Sequence, residues 1–189
     1  MSLKHLPFHP EEQDLPRHIQ VLLDETAEAV NSWQSEPGPH PFVPADYVLV
    51  WDALRELRRM MPPNPRFLEW GSGMGIATLM AASLGWKSTG IELQEALVVE
   101  SRILSRQFDL SAVFHQGSFF PKDQTAVEDL DRFHAAADVI YVYPWPDFEL
   151  QTFDLFDRVA KPGAYLLAYY GIEDLRLYQK ELATLSEKD

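Results

Sequence analysis

Apolar positions along this chain change their spacing as the chain proceeds. The first ten residues, up to Pro10, follow no period and read as loose. From Glu11 to about Ser35, Ile19, Leu22, Leu23, Ala27, Val30 and Trp33 recur at three- and four-residue steps, the period of an α-helix. A connector with Pro37, Gly38, Pro39, Pro41 and Pro44 follows. Pro44-Ala45-Asp46 opens a second helix with Val48, Trp51, Leu54, Leu57 and Met61 on one face. Pro62-Pro63-Asn64-Pro65 ends it, because proline lacks the backbone donor and restricts the residue before it.

Short apolar runs then alternate with helix-length segments. Arg66–Trp70, Ser88–Leu93, Ala112–His115, Asp138–Tyr143 and Gly163–Tyr170 read as strands. Gly75–Leu84, Glu95–Phe108 and Phe148–Ala160 read as helices, with Glu173–Leu185 as a closing helix. Residues 121–136 read as a loop with a short helix. Strands joined by helices imply right-handed crossovers. The expected fold is a single α/β domain over 1–189, with a mainly parallel sheet of about five strands covered by helices on both faces. Residues 1–62 would form an N-terminal helical lid on a core at 63–189. No strand hairpin is visible after the fifth strand, so that strand would lie exposed and open to pairing with a second copy, as a homodimer.

Composition narrows the chemistry. With 46% apolar residues the chain can bury a core, and with no cysteine it has no disulfide, thiolate metal site or cysteine nucleophile. Its formal charge of −13 argues against nucleic acid or anionic membrane as a partner, since both reward clustered Lys and Arg. Neither a signal peptide nor an apolar run long enough for a membrane helix is visible, so the chain reads as cytoplasmic. His5, His9 and His18 lack metal-ligand spacing, and no metal site is expected. Arg55, Arg58 and Arg59 read as a charged helix face, and Trp33 and Trp51 as core.

The most informative segment is Phe67-Leu68-Glu69-Trp70-Gly71-Ser72-Gly73-Met74-Gly75, at the first strand-to-helix junction. Alternate glycines let the chain turn sharply and let a ligand approach the backbone, and the helix behind them offers free amides. A turn chosen for helix–strand packing alone is the bland alternative. A dinucleotide fingerprint needs glycine at its sixth position, where this chain has Ile76, which argues against a nicotinamide-dependent oxidoreductase. The next strand runs Gly90-Ile91-Glu92-Leu93, placing a carboxylate where it can accept from both hydroxyls of a ribose.

Glu69-x-Gly71-x-Gly73-x-Gly75 followed by Glu92 resembles the cofactor site of the class I, Rossmann-like S-adenosylmethionine-dependent methyltransferases, over roughly residues 66–171. The resemblance implies S-adenosyl-L-methionine as cofactor, held by Glu69, Gly71, Ser72, Gly73, Gly75, Glu92, Leu93, Ser118 and Phe119. Ser118 stands where an acid is more usual beside the adenine, and Phe119 offers stacking or shape. The lid would cover the cofactor.

Tyr143-Pro144-Trp145 falls where the family's loop faces the transferred methyl group, with Tyr143 in place of the usual Asn or Asp. Proline there fixes a carbonyl to accept from an attacking amine, and aromatic rings exclude water and favour a cation. Asp147 and Glu149 read first as helix-start acids. His115 borders the cleft or serves the core. Pro41-Phe42-Val43-Pro44 and the run from Gly90 to Arg102 are similar to small protein-lysine methyltransferases that modify ATP synthase c subunit and adenine nucleotide translocase. The implied activity is methyl transfer to nitrogen on a protein lysine or a small molecule. The rival is a non-catalytic, protein-binding module that keeps the fold.

Overall fold

The computed structural model describes residues 3–35, 42–171 and 173–182. Pro37, Gly38, Pro39 and Pro41 of the connector lie outside them. The elements are β1 (Leu3–Leu6), α1 (Arg17–Ser35), α2 (Tyr47–Met60), β2 (Arg66–Trp70), α3 (Ile76–Ser83), β3 (Lys87–Glu92), α4 (Glu95–Gln107), β4 (Ala112–Gln116), α5 (Leu130–Ala136), β5 (Val139–Val142), α6 (Glu149–Val159), β6 (Tyr165–Gly171) and β7 (Asp174–Lys180). A 3-10 turn at Pro146–Phe148 leads into α6.

The seven strands form one mixed sheet in the order β1-β7-β6-β5-β2-β3-β4. Strands β2 to β6 run parallel, whereas β7 is antiparallel to β6 and β1 antiparallel to β7. This corrects the expected sheet of about five mainly parallel strands without a closing hairpin. The segment read as a closing helix, Glu173–Leu185, contributes β7 instead, and its last three residues lie outside the described residues. Alternation explains the strand. Leu175 and Leu177 are buried, while the intervening Arg176 is exposed and paired with Asp174. Cross-strand packing on β6 overrides the helix propensity of Leu, Arg, Gln and Lys.

The N-terminal residues read as loose supply β1, with Leu3 opposite Lys180 and Leu6 opposite Leu177. Together β7 and β1 cover the flank of β6 that had been expected to stand open for a second copy. The edge strand at the opposite side is β4, where Val113 is exposed.

Strand alternation divides the core into two layers. Phe67, Val139, Tyr141, Leu167 and Tyr169 join Trp51, Leu54, Leu57 and Met80 on the face covered by α1 to α4. Leu68, Trp70, Ile140, Leu166 and Ala168 join Leu155 and Phe156 on the face covered by α5 and α6. Each fully buried Leu or Phe contributes about 1.5–3 kcal/mol relative to exposure. Helix α2 starts at Asp46, whose carboxylate accepts from the amides of Val48 and Leu49 at 3.1 Å each. Met61, expected on that helix's face, is its C-cap residue.

The chain leaves β2 for β3 on one side and returns to β5 on the other. This places a topological switch point at the carboxyl ends of β2 and β5, where open α/β sheets bind ligands.

Candidate functional site at the carboxyl edge of the sheet

The glycine turn sits at that switch point. Gly71, Gly73 and Gly75 all have positive φ, at 72°, 54° and 76°. The amides of Gly71 and Ser72 both donate to Ile91 O at 2.9 Å, which ties the turn to β3. The three glycines serve different ends. A Cβ on Gly75 would lie 2.4 Å from the Phe114 ring, so this glycine admits the contact of α3 with β4. A Cβ on Gly73 would lie 2.6 Å from the Phe42 ring. A Cβ on Gly71 would meet nothing within 4 Å, so this backbone faces open space. Ser72 turns inward against Gly90, and its buried Oγ has no hydrogen-bond partner.

Two carboxylates brace the turn from beneath. Glu69 near the end of β2 is buried, and its Oε2 accepts from the amide and the hydroxyl of Thr78 on α3. Burial pushes its pKa up to about 8, against the two Thr78 hydrogen bonds, and the neighbouring Glu92 charge adds to the rise. Glu92 ends β3 and is also buried. Its Oε2 accepts from Gly73 N at 2.8 Å and its Oε1 from Gln94 N at 2.9 Å. Each carboxylate oxygen can accept more than one hydrogen bond, so this clamp leaves Glu92 able to take hydroxyl donors. Leu93, next to it, is exposed.

The structure places Ser118 and Phe119 differently from one another. Ser118 N donates to Thr125 O at 2.8 Å and its Oγ accepts from Phe120 N at 3.1 Å, closing a loop after β4. Phe119 stacks on Trp70 with ring centroids 5.1 Å apart and planes 2° apart, on the α5–α6 side. His115 packs against Phe133 with centroids 4.6 Å apart, and burial, then the Arg102 charge, lowers its pKa.

At the end of β5, Pro144 is buried and Trp145 is 40% exposed. Tyr143 meets Trp145 edge-on at 5.1 Å and Tyr169 of β6 at 6.1 Å. Glu149 accepts from the Tyr170 hydroxyl at 2.6 Å, which makes it a structural tie between α6 and β6. The sequence reading missed Tyr169, whose hydroxyl accepts from Asp46 N at 2.9 Å. Tyrosines at the carboxyl tip of the last parallel strand were the available signal. Tyr47 and Tyr141 lie close enough to Glu69 for its charge to help raise their pKa values, after burial as the main cause.

A cavity of about 1600 Å³ lies to one side, between the N-terminal segment, the start of α2 and β7. Glu12, Asp14, Asp46, Asp52, Glu173 and Asp174 line it, and its Arg176 is held by Asp174. It shares Asp46 with the Tyr169 contact but none of the glycine-turn residues. No group of three metal-ligating side chains occurs among the described residues. No helix among them is long and apolar enough to cross a membrane.

No protein-family sequence model matches the chain, and no curated protein matches it. Solved structures do. An RNA methyltransferase from Salinibacter ruber, determined with S-adenosyl-L-homocysteine, superposes with a TM-score of 0.59 at 18% identity, covering 77% of this chain and 98% of that one. A Staphylococcus aureus protein provisionally assigned as a caffeoyl-CoA O-methyltransferase gives 0.57 at 20% identity, covering 79% of this chain and 65% of that one. An S-adenosylmethionine-dependent methyltransferase from Agrobacterium tumefaciens gives 0.54 at 17%, covering 71% and 48%. The chain has the fold of the class I S-adenosylmethionine-dependent methyltransferases.

Proposed function

We propose that this chain is an S-adenosylmethionine-dependent methyltransferase that transfers its methyl group to nitrogen. One observation carries the reading. Glu92 holds the amide of Gly73 at 2.8 Å while keeping acceptor capacity, beside the open backbone of Gly71 at a topological switch point. Those features fit a ribose over a bare peptide. Glu92 would take its hydroxyls, Leu93 would lie against the adenine, and Gly71 would admit the remainder. The cofactor, when bound, supplies an electrophilic methyl on a sulfonium.

The chain's own residues then orient and desolvate. Tyr143, Pro144 and Trp145 form the rim beside the cofactor site, where rings exclude water and stabilise the positive charge that develops on the attacking nitrogen, and an in-line approach supplies much of the rate. An amine must be neutral to attack, and free lysine has a pKa near ~10.4. Exclusion of water at this rim lowers that value, since burial disfavours the ammonium. The net charge of −13 and the acid-lined cavity beside Asp46 support a basic acceptor. Exposed Trp145, Phe148 and Leu150 supply the apolar surface a protein acceptor would cover. The Salinibacter neighbour's RNA does not suit this charge.

Titration calorimetry with S-adenosylhomocysteine tests the cofactor, and transfer of labelled methyl from S-adenosylmethionine to basic proteins tests the acceptor. Heat at one-to-one stoichiometry and label on lysine support the reading. A non-catalytic module is the second reading, favoured by the Phe42 ring against Gly73, and an absence of both heat and thermal shift with S-adenosylhomocysteine would favour it.

A further inference from the structure

We infer that Phe42 is a wall of the cofactor site and that Tyr169 is the positioning residue that holds it there. The inference rests on the cofactor reading above. Three facts about placement carry its first half. The Phe42 ring lies against Gly73 so closely that any Cβ there would collide with it, at 2.6 Å. Gly73 is also the residue whose amide Glu92 holds, so the ring and the carboxylate assigned to the ribose meet the same residue of the turn. Gly71, two residues earlier, faces open space. The ring therefore bounds one end of the turn and leaves the other free, as a wall does and a plug does not.

The segment carrying Phe42 is anchored at Asp46. Its carboxylate caps α2 through Val48 N and Leu49 N, while its own amide donates to Tyr169 Oη at 2.9 Å. Tyr169 in turn meets Tyr143 of the acceptor rim at 6.1 Å. One phenol thus joins the wall of the cofactor site to the acceptor loop. This accounts for a tyrosine that packing alone would fill equally well with phenylalanine.

The consequence is kinetic. A wall that contacts bound ligand slows its escape without hindering its arrival, because association is limited by the open Gly71 side. Phe42→Ala should raise the dissociation rate of S-adenosylhomocysteine about tenfold, equivalent to about 1.4 kcal/mol, with an unchanged association rate and unchanged stoichiometry. Tyr169→Phe should raise it by a smaller factor, and Phe42→Tyr should restore the wild-type rate. Surface-plasmon-resonance traces on the full chain separate the cases. A misfolded variant lowers stoichiometry rather than lifetime, so Tyr169→Phe keeps the test alive should Phe42→Ala fold poorly. Unchanged dissociation in both variants, with wild type binding normally, overturns the inference alone. Tighter binding by Phe42→Ala shows a plug and also overturns it. No binding to wild type or variants sinks the cofactor reading and the inference with it.

Discussion

Replacing Glu92 separates two roles that its geometry combines. Its carboxylate accepts from Gly73 N at 2.8 Å and Gln94 N at 2.9 Å, so it shapes the turn. It is also the group assigned to the ribose. Glu92→Ala removes a charged acceptor from two amides, one of them buried. Unsatisfied amides cost about 1–3 kcal/mol each when water cannot enter, and access through the open Gly71 side brings the sum to about 2–3 kcal/mol. For a domain of this size that lowers Tm by about 4–12 °C.

Loss of the ribose contacts adds about 1.5–3 kcal/mol to binding, a weakening of about 10- to 150-fold in Kd. Calorimetric titration with S-adenosylhomocysteine at a temperature well below the variant's Tm measures the second effect apart from the first. A lowered Tm with Kd within about twofold of wild type would refute the ribose assignment, leaving Glu92 as a brace for the turn.

Other outcomes follow from the same structure. Glu69, at about 8 when folded against 4.5 as an ordinary carboxyl, keeps a proton that the unfolded chain releases. Its contribution to stability is therefore full below about pH 4.5 and lost as pH rises towards 8. Glu69→Gln should flatten that fall between about pH 4.5 and pH 8 in chemical denaturation at a series of pH values, and an unchanged slope would contradict it. His134 is fully buried with neither ring nitrogen bonded, and burial lowers its pKa to about 4 from 6.5. The unfolded chain takes up a proton that the folded one refuses, so stability falls as pH drops from about 6.5 to about 4. His134→Leu should remove that fall and add about 1–2 kcal/mol at neutral pH, read from urea midpoints; a lower midpoint would contradict it. Tyr143→Phe should keep S-adenosylhomocysteine affinity and lower labelled-methyl transfer about tenfold or more, and full activity would remove Tyr143 from the site.

What the sequence made legible was whatever is local. Strand Arg66–Trp70, the three glycines and Glu92 announce themselves because a turn and a strand end are set by neighbours in the chain. The helix expected at Glu173–Leu185 failed because Leu175 and Leu177 suit a strand only when β6 lies alongside, a fact held in tertiary packing. Strand β1 was missed for the same reason, since four residues paired to β7 leave no period of their own. The functions of Gly73 and Gly75 were not separable in sequence, because Phe42 and Phe114 reach them across long chain separations. Glu69 read as a cofactor ligand, and its hydrogen bonds from Thr78, nine residues on, had no sequence signal. Tyr169 carried no signal beyond its place at a strand tip, and its bond to Asp46 spans 123 positions.

A crystal structure with S-adenosylhomocysteine decides whether Glu92 and the bare backbone of Gly71 hold a nucleoside. A nucleoside should lie over Gly71, with both ribose hydroxyls within about 3 Å of the Glu92 oxygens and the Phe42 ring against the bound ligand. A well-ordered turn with no nucleoside density at saturating ligand, or a nucleoside bound away from Glu92, would contradict it.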